Sequence, residues 1–139
     1  MTKIFEEDWL KSLEKKYALT SERIKPFIAN LALDPVLSEE RNRLENWFQG
    51  IPEKAKPDIF CKLRSKDSHQ HFGAYYEIVM YYFLRSLGYD VDMHPAVSGK
   101  EPDFIITGDG LDKPVVVEVA TVFDDPEWQK KERRLIQVV

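Results

Sequence analysis

The sequence predicts an α/β fold, a mixed sheet flanked by helices with a helical arm ahead of it. Three observations predict it. Residues 104–107 and 115–119 are β-rich runs separated by Gly108, Asp109, Gly110 and Asp112, so 101–121 reads as a hairpin. Residues 67–87 form a helical stretch whose interior is nearly all apolar (Phe72, Tyr75, Ile78, Val79, Phe83, Leu84 among others), and such a helix is covered on most sides. Residues 1–50 carry three apolar stripes at helical spacing, and these make the arm.

In the arm, Ile4, Phe5, Trp9, Leu10 and Leu13 place an amphipathic helix over 4–17. Thr20 or Ser21 caps a second helix running to about Leu33, where Asp34-Pro35 breaks it. Ser38 caps a third, which buries Leu44, Trp47 and Phe48 and stops at Gly50. This unit packs on the core; a dedicated DNA-recognition unit is the sharper alternative. Residues 51–66 read as a connector, with Pro52, Pro57 and five Lys or Arg between Lys54 and Lys66 that could meet phosphate. The core is expected over 67–139, and 1–66 is the accessory region. Asp67 or Ser68 starts its long helix and Leu87-Gly88 ends it. Residues 89–94 alternate as a strand up to Pro95. Asp125-Pro126 opens a last helix over 125–137 with Trp128, Leu135 and Ile136 on one side.

Composition narrows the class. One cysteine, Cys61, rules out an internal disulfide and fits a cytoplasmic protein. No apolar run approaches the roughly 18 residues that span a bilayer, so no membrane partner is expected. A net charge of −4 argues against nonspecific nucleic-acid binding, but the charge is uneven. Residues 1–66 hold 13 basic and 11 acidic side chains, and 67–139 hold 7 and 13, so a net of +2 precedes a net of −6. Gly-rich phosphate loops, CxxC pairs and internal repeats are absent from the sequence.

The acids of the core carry the chemistry. A hairpin pairing centred between Gly110 and Leu111 puts Asp103 opposite Glu118, with Cβ atoms about 5 Å apart. Two carboxylates that close repel, and a cation between them removes the repulsion; hard ions such as Mg²⁺ take oxygen ligands. Glu77 lies in the middle of the apolar helix, where a carboxylate is costly unless it binds a metal or pairs with a base such as Arg85. Gly73, one turn earlier on the same face, costs about 1 kcal/mol relative to alanine and leaves room for a close approach. His69 and His71 read as surface or capping residues, since positions two apart on a helix diverge. His94 either faces the metal or ends its strand.

Pro102-Asp103 entering one strand and Glu118-Val119-Ala120 on the next resemble the signature of the PD-(D/E)xK phosphodiesterase superfamily, the restriction-endonuclease-like fold. That signature is Pro-Asp, then an acid, any residue and a lysine, within a helix-β-β-β-helix order. The resemblance covers roughly 67–135 and departs from the pattern at Ala120, where the lysine would stand. It implies a nuclease hydrolysing phosphodiester bonds in DNA, dependent on Mg²⁺ or Mn²⁺, in restriction, defence or mobile-element processing. Asp103 and Glu118 would hold the ion and Glu77 would complete the site. Gln129, Lys130 and Lys131 on the last helix would stand in for the lysine. Because the fold normally adds a strand after that helix, the chain is expected to be a fragment. The alternative is a catalytically inactive nuclease-fold module that binds nucleic acid or a protein partner, as a homodimer or within a larger assembly.

Overall fold

The computed structural model describes residues 2–17, 25–97 and 99–122, and within them five α-helices precede a small three-stranded antiparallel sheet. The first helix, α1 (Glu7–Tyr17), opens on Glu7 and Asp8 and closes on Lys15 and Lys16, which match the helix dipole at both ends. The chain ahead of it is held by charge. The backbone N–H groups of Ile4 and Phe5 donate to the Glu45 carboxylate at 3.0 and 3.1 Å. The Arg64 guanidinium donates to the Ile4 carbonyl at 2.9 Å and lies 4.2 Å from the ring centres of both Trp9 and Phe60. Ile4 is fully buried as a result.

The next two helices are α2 (Phe27–Leu33), directly after Pro26, and α3 (Ser38–Gln49). Residues 18–24, where the start of α2 was expected, lie outside the described residues. Arg41 reaches back from α3 to the last carbonyls of α2, donating to Leu31 and Ala32 at 2.9 Å each. The expected cap at Ser38 is not one. Ser38 is the first helical residue, and Asp34 supplies the cap one turn earlier, accepting from Val36 N–H at 2.9 Å to start a 3-10 turn over Pro35–Leu37. Gly50 does stop α3, though not through a left-handed backbone, since its φ is −88°. A Cβ at Gly50 would lie 2.2 Å from the Tyr82 hydroxyl, which donates to the Trp47 carbonyl at 2.6 Å.

The expected connector is a fourth helix, α4 (Lys56–Leu63), entered through a 3-10 turn at Glu53–Ala55. Pro57 falls in its first turn, where a missing N–H costs nothing. Ala55, Ile59 and Leu63 make a buried stripe at i, i+4, i+8 against the long helix α5 (Ser68–Ser86). Asp67 caps α5, accepting from His69 N–H at 2.9 Å, and Gly88 ends it in the left-handed region at φ +92°. Ala74, Ile78, Tyr81 and Leu84 face inward. The outer side is more open than expected: Tyr76 and Phe83 are about half exposed and line a groove with residues 119–122. His71 is not a surface residue. It is buried, and its Nδ1 is 2.7 Å from the Leu63 carbonyl, one of the orphan acceptors at the end of α4.

The strands β1 (Asp90–Met93), β2 (Phe104–Thr107) and β3 (Val115–Val117) pair in sequence order. A mixed sheet was expected; among the described residues it is purely antiparallel, because short connections join consecutive strands. The β2–β3 register is the expected one, with Phe104 opposite Val117 and Ile106 opposite Val115. Met93, Phe104 and Ile106 are buried on the face toward α5. One hydrophobic core runs from Ile4 through α2–α5 to this sheet, so residues on both sides of position 66 build it. No helix among the described residues is long and apolar enough to cross a membrane. The last helix, expected over 125–137, lies outside the described residues.

Candidate metal centre

The end of the sheet nearest α5 gathers the polar residues. His94 follows β1 with a positive φ of 54°, a conformation that costs a non-glycine residue energy and turns its side chain out of the strand alternation. Its backbone N–H still donates to the Asp103 carbonyl at 2.9 Å, which continues the β1–β2 register by one position. The β2–β3 register, continued likewise, sets Asp103 against Glu118. His94, Asp103 and Glu118 therefore form one row across the three strand ends. Asp103 also fixes the exit of β3: its Oδ2 accepts from Val119 N–H at 2.8 Å.

Glu77 faces this row from α5 and is 7% exposed. Its Oε2 is buried and has no hydrogen-bond partner among the described residues. The nearest base is His94, whose Nε2 lies 3.4 Å from that oxygen, in ion-pair range without hydrogen-bond alignment. Arg85, one possible base for Glu77, donates instead to the Tyr81 hydroxyl at 3.2 Å. The close approach expected at Gly73, one turn before Glu77, is absent among the described residues: a Cβ there would be 3.9 Å from the Thr121 hydroxyl, an ordinary contact.

The N-terminal half completes the cluster. Asp58 on α4 places Oδ2 3.9 Å from His94 Nδ1, and Lys62, one turn on, donates to the same Oδ2 at 2.9 Å. One ligand atom from each of Asp58, Glu77 and His94 lies within 4.8 Å of the others. Donors about 2.1 Å from a shared ion stand roughly 3.0–3.4 Å apart, so small side-chain movements close this set on a cation. The donor types fit, and Glu77 Oε2 makes no hydrogen bond among the described residues that an ion would have to break.

Electrostatics tie the group together. Burial pushes the Glu77 carboxyl above the ordinary carboxylate range; the His94 imidazole opposes this, and the Asp103 carboxyl adds to it, by hydrogen bonding to the protonated form and then by its charge. Glu77 in turn pushes the His94 imidazole up, against burial. The Lys62 ammonium is raised first by its bond to Asp58, with further contributions from the charges of Glu77 and Asp103.

Of the residues read from sequence, Glu77 and Asp103 come together here. Glu118 keeps its register position but is exposed, and it is not one of the three that close on a common point. Gln129, Lys130 and Lys131 lie outside the described residues. Asp58 and Lys62 were missed. Their i, i+4 spacing is visible in the sequence, but their partner is fixed only when α4 packs on α5. No protein family, no curated protein and no solved structure matches this chain.

Proposed function

We propose that the chain is a divalent-metal-dependent phosphodiesterase of the restriction-endonuclease-like type, acting on DNA in restriction, defence or mobile-element processing. The observation that carries this reading is the Glu77 carboxylate, buried with one oxygen lacking a hydrogen bond among the described residues and set beside a histidine and a row of acids. The order α5–β1–β2–β3 and the register of Asp103 with Glu118 support it. Glu77 is common to two donor sets, the one with Asp103 and Glu118 that the resemblance implies and the one with Asp58 and His94 that the geometry brings together.

Mg²⁺ or Mn²⁺ bound there supplies Lewis-acid stabilisation of charge on a phosphate and lets water act as nucleophile near neutral pH. The chain's own residues do the rest. Glu77 and the acids hold negative charge in a partly dry recess, and Asp103 pins Val119 so that the end of β3 keeps its place. Lys62 brings a positive charge beside these carboxylates, where Ala120 brings none. A second reading, an inactive module that binds nucleic acid or a protein, is favoured by Ala120 and by the bond that occupies Asp103.

The test is cleavage of plasmid and single-stranded DNA in Mg²⁺ or Mn²⁺ against a chelator control. Cutting should need the ion, vanish in Glu77→Gln, and fall by about 10²- to 10³-fold in Lys62→Ala. A folded protein that cuts neither substrate with either ion, yet retards DNA in a gel, overturns the enzyme reading in favour of the binding module.

A further inference from the structure

We propose that Asp58, Glu77 and His94 form a site for a first-row transition ion, of the Zn²⁺ or Mn²⁺ class, in preference to Mg²⁺, and that Lys62 occupies Asp58 until the ion arrives. The inference deepens the metal-dependent reading above but does not need the protein to cut DNA. Three features of the cluster carry it.

The first is the buried Glu77 Oε2, which has no hydrogen bond among the described residues, on a side chain within reach of Asp58 and His94. A buried carboxylate oxygen without a hydrogen bond is costly, the 3.4 Å contact with His94 meets that cost only in part, and a bound cation would meet it without adding bulk. The second is the donor set. An all-oxygen set suits Mg²⁺, whereas an imidazole among carboxylates suits Zn²⁺ and its neighbours, with Mn²⁺ taking the carboxylates. His94 is mostly buried and flanked by a carboxylate on each ring nitrogen, Glu77 at 3.4 Å and Asp58 at 3.9 Å. One ring nitrogen lies within 4.8 Å of an oxygen of each acid, so a single ion can draw on all three residues.

The third is Lys62. It binds Asp58 Oδ2 at 2.9 Å, and its side chain is 40% exposed. An ion pair this exposed is weak and is exchanged cheaply for a divalent ion. Lys62 thus keeps Asp58 compensated in the metal-free protein and competes for the same oxygen. Since Asp58 belongs to α4, the site joins residues 1–66 to the sheet-bearing half, and the helical region is part of the centre rather than an accessory to it.

Ion binding to the full chain, without nucleic acid, tests the assignment. Calorimetric titrations with Zn²⁺, Mn²⁺ and Mg²⁺ would be paired with the visible absorption of bound Co²⁺. Zn²⁺ and Mn²⁺ should bind at one site and more tightly than Mg²⁺, and Co²⁺ should show bands that His94→Gln removes. His94→Gln should weaken Zn²⁺ by at least about 100-fold, the upper end of what losing an outer-shell partner costs. Asp58→Asn, a change at a half-exposed position, should weaken it by about 10-fold, and Lys62→Met should strengthen it. Mg²⁺ binding as tightly as Zn²⁺, or Zn²⁺ binding unchanged in both His94→Gln and Asp58→Asn, overturns the site. Mg²⁺-dependent DNA cleavage by the parent, together with Zn²⁺ binding unchanged in His94→Gln and Asp58→Asn, would sink this inference and leave the phosphodiesterase reading standing.

Discussion

Asp103 has two roles in the structure, and they can be separated by substitution in a chelator. Its Oδ2 accepts from Val119 N–H at 2.8 Å, which anchors the chain beyond β3, and its charge lies beside the buried Glu77 carboxyl. Asp103→Ala removes both. A hydrogen bond to an ionised acceptor contributes about 1.5–3 kcal/mol, and a half-buried N–H left unpaired loses most of that. Relief of repulsion with Glu77 returns part of it, so the net loss should be about 1–2 kcal/mol. For a chain of this length each kcal/mol moves Tm by about 3–5 °C, and Asp103→Ala should melt about 3–10 °C lower. Asp103→Asn keeps an acceptor oxygen for Val119 and drops the charge, so it should stay within about 0.5 kcal/mol of the parent. Thermal and urea unfolding at pH 7 in EDTA measure both. An Asp103→Ala protein as stable as the parent would refute the anchoring role. An Asp103→Asn protein as weak as Asp103→Ala would mean that the negative charge itself holds the strand.

Two further outcomes test the packing. Gly50→Ala should destabilise, because its Cβ meets the Tyr82 hydroxyl at 2.2 Å; in a Tyr82→Phe background the nearest atom is the ring carbon at 3.4 Å. There the same change should be neutral or stabilising by up to about 1 kcal/mol, since φ is already suited to alanine, and a loss of equal size in both backgrounds would contradict the contact. His71 gives a pH signature. Burial lowers its pKa, with the Leu63 carbonyl opposing, and its surroundings are the rings of Phe27 and Phe72 with Glu40 and Arg43 across the adjoining cavity. The unfolded chain therefore takes up a proton below about pH 6.5 before the folded one does, and stability falls on acidification from there toward the depressed folded value. His71→Gln does not titrate, so its urea-derived stability should drop less than the parent's between pH 7 and 5.5. Equal drops would show that His71 takes up its proton alike in the folded and unfolded chains, against the depressed folded pKa.

Elements set by local chemistry were legible in the sequence. The hairpin register followed from turn residues and two β-rich runs, and α5 followed from Asp67 at one end and Gly88 at the other. The helix α4 was hidden by Pro52, Pro57 and the basic residues, which suggest a linker; the Ala55–Ile59–Leu63 stripe is short and gains meaning only against α5. Gly50 marked the right boundary for a reason that lies in Tyr82, thirty-two residues away. At the site, Glu77 and Asp103 stood out as acids among apolar neighbours. Asp58 and Lys62 did not, because an acid and a lysine one helical turn apart are ordinary on a solvated face. His94 was ambiguous because its aim depends on a positive φ that the residue type does not announce. His71 was misjudged because its partner is a helix-end carbonyl, which carries no sequence mark.

The central claim is that the buried Glu77 oxygen is a metal ligand. Anomalous diffraction from crystals of the full chain grown with Mn²⁺ or Zn²⁺ measures this most directly. The account predicts a peak about 2.0–2.3 Å from Glu77 Oε2 and from an imidazole nitrogen of His94, with Asp58 turned toward it and Lys62 released. A peak bound by Asp103 and Glu118 without Glu77, or no peak near Glu77 at saturating ion, would contradict it.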